Sequence, residues 1–249
     1  MAVVGAPGAD DGLVVCSAVE HHAVLDPVVA RGPERHRIVG VDARGVVDLD
    51  ALADALDPTV ALVSVMLVNN EVGTVQPLDA VAELVHEHAP GALLHTDAVQ
   101  ALPWLDLRIV TASADLVSLS AHKVGGPKGV GALVVREGVE LRPQVLGGGQ
   151  ERGRRPGTQN VPGIVAMGSA VAVVERDRKE VVERVSALRD RLANGLLTAV
   201  DGLVETGATG VPGGDRAHKV AGSCHVCIEG VESEALLFLL EERGVCAAA

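Results

Sequence analysis

Lys123 closes the run Ser120-Ala121-His122-Lys123, directly after a short apolar stretch and before Gly125-Gly126-Pro127-Lys128-Gly129. A lysine amine attacks a carbonyl when it is unprotonated part of the time and its partners stabilise the iminium that forms. An isolated loop lysine is otherwise simply solvated. Three further polar clusters follow apolar runs in the same way: Glu20-His21-His22, Asn69-Asn70-Glu71, and His95-Thr96-Asp97 with Gln100 nearby. Asp97 can hold a protonated heteroaromatic nitrogen or cap a helix. His21 can stack on a flat ring or sit as a polar loop histidine. Asn70 and Gln100 can hydrogen-bond a ring oxygen or satisfy turn backbone. Ser120, His122 and Thr158 can bind phosphate oxygens together with backbone N–H groups. Arg152, Arg154 and Arg155 either add to an anion site or form a solvated basic loop.

The elements that must position these groups follow from the apolar pattern. Leu13–Ser17, Val60–Val68, Ala92–Thr96, Asp115–Ser120 and Gly131–Val135 read as strands. Asp48 is expected to cap a helix with Leu49, Leu52 and Leu56 on one face, stopped by Pro58. Leu78, Val81 and Val85 mark another helix, ending near Pro90. Strands alternating with helices predict an α/β fold with a mostly parallel sheet. The polar clusters then gather at the sheet end where open α/β sheets bind ligands. Gly147–Thr158 reads as a Gly- and Arg-rich loop, and a long helical pattern starts near Val161. The charged stretch Glu175–Glu180 is the expected hinge between a large domain over 1–178 and part of a small C-terminal α/β domain over 179–249. In the second unit, Thr206–Asp215 reads as a turn region, Val220–Ile228 as a strand and Ser233–Glu242 as a helix stopped by Gly244.

Composition narrows the classes. The chain has 249 residues, 48% hydrophobic and 22% charged, so it is a globular chain of one to two domains. Its net charge of -12 argues against general binding to nucleic acid or to anionic membranes. With one Trp, one Phe and no Tyr, the core must be aliphatic and single-strand binding by aromatic stacking is nearly excluded. The longest apolar runs fall short of the ~20 residues a spanning helix needs, and the start of the chain has no signal-peptide pattern. Cys224 and Cys227 form a lone C-x-x-C, so no metal site is expected, and both are expected to pack in a strand. Four cysteines without a disulfide framework fit a reduced, cytoplasmic setting.

Five blocks occur in order: AVEHHAVLDP, SVMLVNNEVGTVQPL, HTDAVQALPWLDL, ADLVSLSAHKVGGPKGVGAL and LGGGQERGRRPGTQNVPGIVAMG. Together they resemble the cysteine desulfurases of the class V aminotransferase family, the NifS/IscS-like branch. The resemblance implies the fold-type-I architecture of pyridoxal 5'-phosphate (PLP) enzymes, with a seven-stranded type of sheet, and a homodimer. It implies conversion of L-cysteine to L-alanine, with sulfur left as an enzyme persulfide and passed to an acceptor protein for iron–sulfur cluster assembly or tRNA thiolation. By motif position, Lys123 resembles the lysine that holds PLP, and His21 the histidine that stacks on the ring and assists proton transfer. Asn70 and Gln100 match residues at the ring oxygen, and Asp97 matches the partner of the pyridine nitrogen. Ser120 and His122 match phosphate ligands; Thr158 matches one supplied across the dimer.

The same resemblance implies parts that have no match. These are an N-terminal Gly-Thr phosphate-binding turn, a nucleophilic cysteine in a loop after GVCAAA, and a carboxylate-binding arginine further on. The expectation is a central piece lacking both ends, in which Cys246 is not the nucleophile and persulfide formation fails. Two alternatives stay open: another class V aminotransferase or selenocysteine lyase, and a catalytically dead PLP-binding or interaction module.

Overall fold

A computed structural model describes residues 1–8, 11–207 and 215–248. Six strands form the main sheet: β1 (Leu13–Ser17), β2 (His36–Val39), β3 (Val60–Ser64), β4 (Leu93–Asp97), β5 (Leu116–Ser120) and β6 (Gly131–Val135). Their order is β2-β1-β3-β4-β5-β6. The first five run parallel and β6 pairs antiparallel to β5. The mostly parallel α/β sheet is therefore as expected, with six strands among the described residues where the resemblance implied seven. Strand order turns back between β1 and β3, the switch point at which the carboxyl ends of an open sheet leave a crevice.

Helices α1 (Ala2–Gly5), α2 (His22–Val29), α3 (Leu49–Ala55), α4 (Leu78–His88), α5 (Leu107–Val110) and α6 (Val161–Ala199) surround the sheet. Alternation along each strand sends Val15 and Val63 to one face, where they meet α3 and α4 through Leu52, Val81 and Val85. It sends Val14, Cys16, Leu62 and Leu116 to the other, against Val3 of α1 and Val24 and Val28 of α2. Asp48 caps α3 as its position predicts, accepting from the Ala51 N–H at 3.0 Å. A short turn of helix after β5 packs under α6 through Ala121, Val130 and Met167.

Four local differences from the sequence reading have physical causes. The run Val60–Val68 is buried except at half-buried Ala61, but the strand ends at Ser64; an apolar run reports burial, not ladder pairing. Strand β2 has only Ile38 and Val39 as apolar residues because it lies at the sheet edge. Helix α6 runs unbroken through Glu175–Glu180, residues that favour helix and pair locally as Arg176–Asp177 and Glu175–Arg178. In the last part, β7 (Leu203–Glu205) and β8 (Val226–Ile228) form an antiparallel pair followed by α7 (Ser233–Glu241). Cys227 lies on β8 but is exposed, and Cys224 precedes the strand half-buried, which corrects the expectation that both pack in a strand. Val204 and Cys227 are exposed on one face of this two-stranded sheet. Most of the turn region Thr206–Asp215, residues 208–214, lies outside the described residues.

Candidate functional site

All the polar clusters except the Thr158 segment extend from the carboxyl ends of β1, β3, β4 and β5. His21 caps α2, its Nδ1 accepting from the Ala23 N–H at 3.0 Å. The proton of the neutral ring therefore sits on Nε2. Asp97 ends β4 opposite Ser118 of β5. Ser120 ends β5, and Lys123 sits on the turn that follows, so the amine and the acid share one end of two adjacent strands. Ser120 Oγ and His122 Nδ1 lie 2.7 Å apart. Asn70 and Gln100 line one shallow cavity of about 280 Å³, together with Trp104, Ser223, Cys224 and His225. Lys123 and Asn70 are exposed. Thr158 is exposed in the segment entering α6 and is not brought to the others by any hydrogen bond among the described residues.

Asp97 carries the distinctive electrostatics. It is buried and accepts the Val99 N–H at 2.9 Å. Burial pushes its acid upward, and the Val99 N–H and nearby His21 only partly offset that. A protonated ring nitrogen would supply a cation bonded directly to this carboxylate. A primary amine, a buried carboxylate, two amide side chains and a Ser–His pair together suit an aldehyde cofactor with a basic ring nitrogen, a ring oxygen and a phosphate.

Sequence reading assigned no role to the residues beneath these groups. His95 is buried between Ser64 Oγ on Nδ1 and Ser118 Oγ on Nε2, each at 2.8 Å. The charged network under the cavity was also missed. Glu205 binds Arg216 and Lys219, and the Arg189 Nη1–H donates to the Val220 carbonyl at 2.8 Å. The only signal in the sequence was ionisable residues set among apolar ones.

One wall of the cavity comes from far along the chain. The Val220 N–H donates to the Gly73 carbonyl at 3.0 Å and the Val75 N–H to the His218 carbonyl at 2.8 Å. Two glycines permit this approach. Gly73 has φ +78, and a Cβ there would come within 2.3 Å of Ser223. A Cβ on Gly222 would lie 2.0 Å from the Trp104 ring. Gly222→Ala is therefore expected to cost about 1–3 kcal/mol and to shift the emission of Trp104, the only tryptophan. Urea denaturation followed by fluorescence checks both; wild-type stability with unchanged emission would refute the contact.

The aminotransferase class-V family model matches residues 4–249. The chain belongs to the aminotransferase class-V family. Among its class-V relatives, a cysteine desulfurase of Gluconacetobacter diazotrophicus is 45% identical over 238 residues, covering 94% of this chain and 57% of the relative. A cysteine desulfurase of Bradyrhizobium diazoefficiens is 42% identical over 235 residues, covering 93% and 57%. A solved NifS-like protein superposes with a TM-score of 0.86 at 34% identity, covering 96% of this chain and 64% of that one. The solved DndA of Streptomyces lividans gives 0.77 at 33% identity, covering 92% and 63%. This class-V chain thus spans little more than half the length of the curated relatives it matches. Among the described residues, no helix is long and apolar enough to cross a membrane.

Proposed function

We propose that the chain forms the cofactor-binding part of a PLP-dependent cysteine desulfurase that takes sulfur from L-cysteine and leaves L-alanine. The observation that carries this is the buried Asp97 carboxyl at the same sheet end as the Lys123 amine. Identity to named cysteine desulfurases directs the choice of substrate. When bound, PLP supplies an electron sink for the carbanion at the substrate Cα. Lys123 would hold the cofactor through its amine and would move the Cα proton. Asp97 holds the proton on the ring nitrogen, and His21 flanks the ring. Asn70 and Gln100 hydrogen-bond the ring oxygen, while Ser120, His122 and Thr158 hold the phosphate.

On this reading residues 1–178 are the large domain and 179–249 part of the small one. The working form is a cytoplasmic homodimer that hands sulfur to an acceptor protein for iron–sulfur cluster assembly or tRNA thiolation. Exposed Leu146, Val161 and Val165 flank the Thr158 segment and give such a dimer apolar surface to bury.

PLP added to the purified protein is expected to give a visible absorbance band. Borohydride should then fix the label on the peptide containing Lys123, and Lys123→Ala should lose the band. A label on Lys128, or a band that survives in Lys123→Ala, would overturn the assignment. L-cysteine is expected to perturb the band, and selenocysteine competition separates the lyase alternative.

A further inference from the structure

Glu20 stands immediately before His21, at the switch point between β1 and β3. Its side chain is buried. Oε1 accepts from Ser17 Oγ at 2.8 Å and from the Met66 N–H at 2.6 Å. Oε2 is buried with no hydrogen-bond partner among the described residues. Met66 belongs to the stretch that continues from β3 to Asn69 and Asn70, and Asn69 Nδ2 donates to the Val19 carbonyl at 3.2 Å. Two strand-end loops of the candidate site are thus joined through one carboxyl group.

An ionised Glu20 would have no cation bonded to it. The groups facing it are Ser17 and the Cys16 thiol on β1, Ser64 on β3 and the Asp97 carboxyl on β4. The imidazole of His21 acts on Asp97 instead. Burial, then the nearby Asp97 charge, push the Glu20 acid up to about 8 against the pull of the Met66 N–H, Ser17 and Ser64. Placing a second charge beside Asp97 at a buried position is costly.

We propose that Glu20 is a positioning residue held as a neutral acid: it clamps the His21 loop to the loop carrying Asn69 and Asn70, and leaves buried negative charge at the cofactor end of the sheet to Asp97. The last clause rests on the PLP reading; the clamp does not.

Cofactor-free protein tests the clamp. An unfolded glutamate loses its proton near pH ~4.3, whereas the folded one keeps it to about 8. Wild type therefore loses stability as pH rises between those values. Glu20→Gln offers the same acceptor with no proton to lose. Its melting temperature should rise relative to wild type by about 5 °C or more from pH 5 to 8, then level off. Hydrogen exchange at the Met66 amide should stay slow in wild type and Glu20→Gln, and quicken about tenfold in Glu20→Ala. Parallel melting curves across the pH range, or equal Met66 protection in Glu20→Ala, would overturn the clamp. Should Glu20→Ala not fold, the glutamine comparison alone decides.

With PLP, Glu20→Gln should keep wild-type affinity and Glu20→Ala should lose about tenfold, a loss of about 1.4 kcal/mol. A folded Glu20→Ala that binds PLP as wild type does would overturn the link to the cofactor end. If wild type itself takes up no PLP, the cofactor reading fails while the cofactor-free comparison still judges Glu20.

Discussion

Glu205→Leu is expected to lower stability by about 3–5 kcal/mol. The carboxylate ends β7 with its side chain fully enclosed. It receives Arg216 Nη2 at 2.6 Å and Nε at 2.9 Å on Oε2, and Lys219 Nζ at 3.2 Å on Oε1. Burial alone would push its acid up, but Arg216 and Lys219 draw it below the usual carboxylate range. Without it, the enclosed ammonium of Lys219 keeps, among the described residues, only the Thr206 carbonyl, at 2.6 Å. Arg216 keeps Asn194 Oδ1 at 3.1 Å and a 3.7 Å approach to Asp190. Two cations would then be buried without their carboxylate. A urea midpoint displaced at unchanged slope is the reading to look for, and a change under about 1 kcal/mol would dispose of the idea. Adding Lys219→Met should recover part of the loss, because one stranded charge goes with it. Since Lys219 also bridges to Thr74, the single variant should loosen the wall of the cavity as well.

The second large effect is on pH dependence. Burial, and then the chain's amino terminus, hold the His95 imidazole down at about 3. A neutral ring suits its setting, since one nitrogen donates and the other accepts between two serine hydroxyls. The unfolded chain takes up a proton near pH ~6.5, so folding is progressively opposed as pH falls from there toward 3. At about 1.4 kcal/mol per pH unit, the loss is on the order of 4–5 kcal/mol. Glu20 acts with the opposite sign between pH ~4.3 and about 8. The two slopes offset each other between pH ~4.3 and ~6.5. That leaves a flat top, an acid limb to which His95 contributes beside paired carboxylates such as Glu205, and an alkaline limb to which Glu20 contributes. Urea midpoints measured from pH 3 to 9 should show a shallower acid limb in His95→Gln than in wild type. Acid limbs that run parallel would remove His95 from the account.

Much of this fold is legible in the sequence alone. Leu13–Ser17 and Gly131–Val135 are strands with the expected bounds, because short apolar runs bounded by turn residues have few other uses. Asp48 and Pro58 framed α3 for reasons local to the backbone. The placement of Lys123 and Asp97 at one sheet end was legible because each ends or closely follows its strand in sequence. What escaped depended on contacts between distant segments. The edge strand β2 carries little apolar signal, and α2 is masked by two histidines and by Pro27 in its last turn. Glu20 and His95 stood inside recognised clusters, but only the packing of three strands shows that both are enclosed. The Arg216–Glu205–Lys219 network joins residues that no spacing rule connects.

The strap from His218 to Ser223 has a consequence for biosynthesis. During translation the sheet, the Lys123 turn and α6 can all emerge and pack while one side of the Asn70–Gln100 cavity has yet to leave the ribosome. The nascent chain can thus display a formed sheet edge and an unfinished pocket, closed only when Gly222 arrives against Trp104.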